Sequence, residues 1–148
     1  MQTQDLTARY IEGNRRNPFV LHNHIEIEFV ETDHSLLRFS VRPESLNPHG
    51  LVHGGAFFTL ADNAAGCAAS SDGRAYVTQA ADIHFLRTQA SGTVRAEARV
   101  KHRGRSTVMV EVSITGEEDK LLATACFTYF CVDGSSIARN SPGAARQP

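Results

Sequence analysis

Apolar and polar residues alternate with a period of two over most of this chain, and one central stretch breaks the rhythm. In 24–31, Ile25, Ile27 and Phe29 alternate with Glu26 and Glu28, the spacing of a half-buried strand. Thr32-Asp33-His34-Ser35 reads as a turn, after which Leu37, Phe39 and Val41 alternate in a second strand. Four more strands are predicted at 76–86, 93–102, 106–115 and 121–132. Val94, Ala96, Ala98 and Val100 share one face of the 93–102 strand, and Val108, Val110, Val112 and Ile114 one face of the next; the last is apolar on both faces. The connections Ala90-Ser91-Gly92, Arg103-Gly104-Arg105 and Gly116-Glu117-Glu118-Asp119 are short turn material, so consecutive strands are expected to pair antiparallel.

The break in the rhythm lies at 53–70, where an alanine-rich run takes up helical spacing and predicts one long helix. Its small residues Ala61, Ala64, Ala65, Gly66, Ala68 and Ala69 leave room for another element to come close. The preceding 43–50 is predicted as loop, because Pro43 and Pro48 remove backbone donors and bias the residues before them toward extended geometry. A short helix is predicted at 3–13, with Leu6, Tyr10 and Ile11 on one face and Gly13-Asn14 ending it. The polar 134–148, with Pro142 and Pro148, is expected to be a disordered tail. These elements make an α+β domain over 1–133, one long helix wrapped by one curved antiparallel sheet.

Length and composition agree with a single folded domain: 148 residues, 41% hydrophobic and 21% charged. A formal net charge of -1 speaks against broad nucleic-acid binding. Met1-Gln2-Thr3-Gln4-Asp5 lacks a cationic flank followed by an apolar run, so no signal peptide is expected, and no segment has the length of a membrane span. Cys67, Cys126 and Cys131 are odd in number and lack Cys-x-x-Cys spacing, which fits free thiols in a reducing cytoplasm.

Candidate chemistry gathers where loop meets long helix, in the stretch that begins Asn47-Pro48-His49-Gly50-Leu51-Val52-His53-Gly54-Gly55 and ends at Asp62. The first turn of a helix has no intrahelical acceptors for its N–H groups, and these sit at the positive end of the helix dipole. His53-Gly54-Gly55 therefore offers an oxyanion site. Asp62, inside an apolar helical run, supplies a nucleophile or general base. An oxyanion site with a carboxylate points to hydrolysis of an acyl compound. A neutral His53 that positions the loop is expected rather than a charged general base, since a cation at a helix N-terminus is disfavoured. His49 and His53 lie four apart, and His22 and His24 share a predicted strand face, yet no cysteine or carboxylate stands at ligand spacing beside either pair. No metal and no cofactor are expected, and the cysteines are read as small core residues rather than nucleophiles.

The order strand, strand, proline-rich loop, His-Gly-Gly helix, four strands resembles the hotdog fold, and Asn47…His49-Gly50…His53-Gly54-Gly55…Asp62 is similar to the PaaI-like acyl-CoA thioesterases. The resemblance covers roughly 20–133 and carries several residue types at fixed spacing. It implies that Asn47 positions the thioester or its attacking water, that the Gly54 N–H polarises the thioester carbonyl, that Asp62 activates water or attacks directly, and that Thr78 orients the water. It also implies that Arg103, Gly104, Arg105 and Ser106 lie near the coenzyme A nucleotide, where arginine suits phosphate. The same resemblance implies a homodimer that pairs into a tetramer, with Gly54 and Asp62 of each site on different chains. Two other readings remain open: an acyl-thioester hydratase or dehydratase using His49 with Asp62, and a non-catalytic acyl-CoA binding module. Small helix residues beside Phe57, Phe58 and Phe85 suit an aryl or a short-to-medium acyl group.

Overall fold

The computed structural model describes residues 3–132. In chain order these form α1 (Thr3–Asn14), α2 (Pro18–His22), β1 (Glu26–Glu31), β2 (His34–Ser40), α3 (Gly54–Ser70), β3 (Ala75–Phe85), β4 (Thr93–Arg103), β5 (Thr107–Thr115) and β6 (Leu121–Val132). The strands join into one antiparallel sheet in the order β1-β2-β4-β5-β6-β3, and α3 lies mainly over β2, β4 and β5. This is the hotdog architecture, with its α+β character as the periodicities predict. The predicted domain end at 133 and the tail 134–148 lie outside the described residues.

Alanine explains how the helix meets the sheet. Ala61, Ala64, Ala65, Ala68 and Ala69 are all buried, so the α3 backbone comes close to the strands beneath it. Opposite them Val94, Ala96 and Ala98 of β4 and Val108, Val110, Val112 and Ile114 of β5 are buried, on the faces that their alternation predicts. Ser35 of β2, fully buried, donates its hydroxyl to the Ala64 carbonyl at 2.7 Å and ties sheet to helix. Phe57 and Leu60 are buried in the N-terminal half of α3.

Three features differ from the sequence reading. Residues Pro18–His22 form α2, capped by Asn17, whose side chain accepts from Val20 N–H, with Pro18 at its first position. Five residues show no periodicity; the Asn-Pro pair was the available signal. His22 therefore ends a helix and His24 takes a left-handed conformation (φ 54°), so the two do not share a strand face. β2 starts at His34 rather than after Ser35, because Asp33 (φ 62°) completes the reversal. Finally, β3 pairs with β6 and not with β4. The turn residues Ala90-Ser91-Gly92 lie on a crossover, and β6, apolar on both faces, sits inside the sheet between β5 and β3.

That topology leaves β3 as an edge strand of 11 residues, and most of its side chains are exposed on both faces. Large apolar residues lie open in and around it: Val77 at 45%, Phe85 at 53% and Phe130 at 42% relative exposure. Among the described residues no helix is long and apolar enough to cross a membrane.

Candidate active site

Two half-sites lie along α3. The first is its N-terminus. Asn47 Oδ1 accepts from the N–H groups of His49 (2.9 Å) and Leu51 (3.2 Å), and Asn47 N–H donates to Leu51 C=O (2.7 Å), so this side chain shapes the loop that delivers the helix. His53 is the N-cap: its Nδ1 accepts from Gly55 N–H at 2.8 Å, while its carbonyl accepts from Ala56 and Phe57. Because Nδ1 accepts, the side chain serves as the cap of the helix. With the Gly55 donor occupied, Gly54 N–H is the first-turn donor that has no partner among the described residues. His53 thus selects which amide stays open.

The second half-site is Asp62, half-buried two turns further on. Its Oδ1 accepts from Thr78 Oγ1 of β3 at 2.7 Å. It also lies 2.6 Å from the hydroxyl of Tyr129 on β6, which lies at the same distance from the Asp62 carbonyl. Tyr129 is 4% exposed, and its phenol is pushed well above its ordinary range by burial, then by the Asp62 charge and their hydrogen bond. It therefore stays protonated and donates. Gly66 makes room for it: a Cβ there would stand 3.4 Å from the Tyr129 hydroxyl. Sequence reading missed Tyr129. The signal was a lone hydroxyl on the core face of an apolar strand, which needs a polar partner when buried. No histidine hydrogen-bonds to the Asp62 side chain among the described residues, and His49 sits on the exposed loop before the helix.

Arg103 has an occupation other than the one expected for it. Its guanidinium donates to Asp33 Oδ1 (2.6 Å), to Asp72 Oδ2 (2.9 Å), to Tyr76 Oη (3.0 Å), and to the Ala69 (2.8 Å) and Ala68 (3.2 Å) carbonyls at the C-terminus of α3. These bonds use its donors, so Arg103 caps the helix and is not free for phosphate. Gly104 closes the hairpin through its N–H to Thr107 C=O (2.8 Å), while the Arg105 and Ser106 side chains remain exposed. Arg103→Ala is expected to cost about 2–3 kcal/mol, because it removes the partner of the Asp33 carboxylate and of two helix carbonyls and one of the ion pairs of Asp72. Burial raises the Asp72 carboxyl, but the Arg74 and Tyr76 hydrogen bonds and the Arg103 charge outweigh it and hold the group below its usual range. A depressed carboxylate stabilises the fold above its unfolded value and loses that contribution as pH falls through the folded one. The deficit of Arg103→Ala, measured by urea denaturation, should therefore shrink in acid. A deficit independent of pH would remove the ion pair from the account.

Other candidates are quiet. Cys67 is buried, and burial pushes its thiol up to about 12, so it is no nucleophile at neutral pH. Among the described residues no cluster of three metal-ligating side chains forms. Phe57 belongs to the core, whereas Phe58 and Phe85 remain exposed. A cavity of about 500 Å³ opens at the start of α3, between Ile25, Phe39 and Leu46 on one side and His53, Gly55 and Ala56 on the other.

Comparison with known proteins identifies the family and the fold. The model of the thioesterase superfamily matches residues 49–123. Acyl-coenzyme A thioesterase PaaI of Escherichia coli (strain K12) is 35% identical over 100 residues, 67% of this chain and 71% of that one. The solved structure of E. coli PaaI superposes with a TM-score of 0.79 at 28% identity, over 86% of this chain and 94% of the other. A Streptococcus mutans UA159 protein solved with acetyl-CoA bound is 32% identical, with a TM-score of 0.70 over 73% of this chain and 88% of its own.

Proposed function

This chain belongs to the thioesterase superfamily and is a thioester hydrolase, and we propose that it splits an acyl-CoA into free acid and coenzyme A at Asp62. The observation that carries this reading is the 2.7 Å hydrogen bond from Thr78 to Asp62 Oδ1, which orients the carboxylate from a neighbouring strand. In the general-base form, Asp62 takes a proton from water as the water oxygen bonds to the thioester carbon, and the carbonyl electron pair moves onto oxygen. Gly54 N–H receives that negative charge, and Asn47 helps to hold the thioester or the water. Collapse re-forms the carbonyl and breaks the C–S bond; the thiolate leaves, and the proton passes from Asp62 to it or to solvent. Attack by Asp62 itself would give a mixed anhydride that water then opens, with the same two groups in use. A thiol with a pKa of about 8.5 leaves without a strong acid, so no acid–base triad is required.

Each site needs two chains in this reading. Gly54 and Asp62 are eight positions apart, which is roughly 12 Å along one helix, and an Asp side chain does not bridge that span. The long uncovered edge of β3, with Val77 and Phe85 exposed on it, supports pairing with a second copy, and such dimers pair again into a tetramer. The 500 Å³ cavity beside Gly55 supports an aryl or a short-to-medium acyl group. Three unpaired thiols support a cytoplasmic location.

Release of coenzyme A thiol from a panel of short, medium and aryl acyl-CoAs, with crotonyl-CoA hydration followed separately, tests the activity. Thiol release is expected; hydration without it, or binding without turnover, would replace this reading. At the nucleotide end Arg105 and Ser106 are the proposed contacts. Arg74, the residue before β3, reaches the Arg105 carbonyl at 2.9 Å and stands four positions from Thr78, roughly 13 Å of extended chain. An extended pantetheine arm covers that distance. Arg105→Ala should raise KM for acyl-CoA more than it lowers kcat, and the effect should vanish with an acyl-pantetheine. An equal loss on both substrates would take Arg105 out of the site.

A further inference from the structure

Asp62 Oδ1 is crowded by two donors from two strands, Thr78 Oγ1 at 2.7 Å and the Tyr129 hydroxyl at 2.6 Å, while no protein hydrogen bond reaches Oδ2 among the described residues. Each of these donors is anchored differently. Thr78 sits on the exposed edge strand β3, next to a register shift between Thr78 and Ala80. Tyr129 sits on β6, inside the sheet, with its ring centred 6.3 Å from that of the fully buried Phe127 and tilted 31° to it. Its hydroxyl also lies 2.6 Å from the backbone carbonyl of Asp62, so one rigid group gauges both the helix and the carboxylate that the helix carries.

We propose that Tyr129 is a positioning residue for thioester hydrolysis, which fixes the Asp62 side-chain rotation so that Oδ2 is the oxygen presented to the reacting water or thioester carbon. This inference rests on Asp62 being the catalytic carboxylate. A carboxylate free to turn about its last bond offers either oxygen in many directions; one pinned at Oδ1 by a buried phenol offers a single oxygen in one. The raised phenol pKa serves the same end, because a phenolate could not donate and would repel the carboxylate. Gly66, one helical turn after Asp62, is the complementary half of the device: a Cβ there would already touch the hydroxyl at 3.4 Å, so side chains larger than alanine would press on it.

Tyr129→Phe keeps the ring and its packing and removes only the hydroxyl. It should lower kcat roughly 10- to 100-fold while KM for acyl-CoA stays within about 3-fold. A purely structural tyrosine would not produce this split between kcat and KM. Gly66→Val provides a second route: it keeps the phenol but presses on it, and should reproduce the kcat loss in a protein whose circular dichroism is that of the folded state, at a lowered melting temperature. A folded Tyr129→Phe with near-normal kcat would overturn the proposal, as would a loss expressed only in KM. Asp62→Asn, assayed alongside, separates the two levels. If Asp62→Asn stays active, the catalytic reading itself is wrong; if it is inactive while Tyr129→Phe is normal, only the positioning role falls.

Discussion

Asp62→Asn is expected to give a folded protein that hydrolyses acyl-CoA at least ~10²-fold more slowly, with the loss in kcat. Asparagine matches aspartate in size, and its carbonyl oxygen can still accept from Thr78 and Tyr129, which hold Oδ1 at 2.7 and 2.6 Å. The amide nitrogen then stands where Oδ2 stood, and it can neither accept a proton from water nor attack a carbon. Asp62→Ala should lose as much activity, and it should also leave the buried Tyr129 hydroxyl with only the backbone carbonyl as acceptor. Purified protein, thiol-release kinetics and a melting curve suffice as the check. Near-normal turnover in either variant would make Asp62 a structural residue.

The second large effect concerns the pairing of chains. Asp62→Ala and Asn47→Ala, each nearly inactive alone, should regain activity when they are mixed in equal amounts, unfolded and refolded together. A mixed dimer joins an intact Asn47–Gly54 end from one chain to an intact Asp62 from the other, so one of its two sites works. With random pairing the recovered activity should approach about a quarter of wild type. The open edge and exposed apolar residues of β3 are the surface through which the copies would meet. Proven mixed dimers without recovery, or full activity in a monomer at assay concentration, would defeat the shared-site reading.

Much of this was readable in the chain. Alternation at Val94-Ala96-Ala98 and at Val108-Val110-Val112-Ile114 marks the two strands beneath the helix, and these side chains are buried as their spacing requires. The alanine run marks α3, and the His-Gly-Gly string marks its start to within one residue. Pairing of β3 was not readable, because a turn signal such as Ala90-Ser91-Gly92 reports a local change of direction and not which strand lies alongside. The role of Arg103 was hidden for a related reason. Its partners Asp33, Ala68, Ala69, Asp72 and Tyr76 come from distant parts of the sequence, while the hairpin around it looks like any charged turn. Tyr129 escaped because an aromatic in an apolar strand reads as core, and only its hydroxyl departs from that reading.

Helix α3 is fastened at both ends, by His53 on Gly55 N–H and by Arg103 on the carbonyls of Ala68 and Ala69. Held in this way, it acts as a ruler whose graduations are angular as well as linear. Each residue advances the helix by about 100°, so deleting any one position between Gly54 and Asp62 would swing the carboxylate out of reach of Thr78 and Tyr129, whatever residue was removed. The segment around Ile25, which borders the cavity proposed for the acyl group, lies outside the ruler and can change in length or bulk without touching its phase. Insertions and substitutions there are a route by which the accepted acyl group can drift while the chemistry stays in place. Indels within 54–62 are the changes the enzyme is least able to absorb.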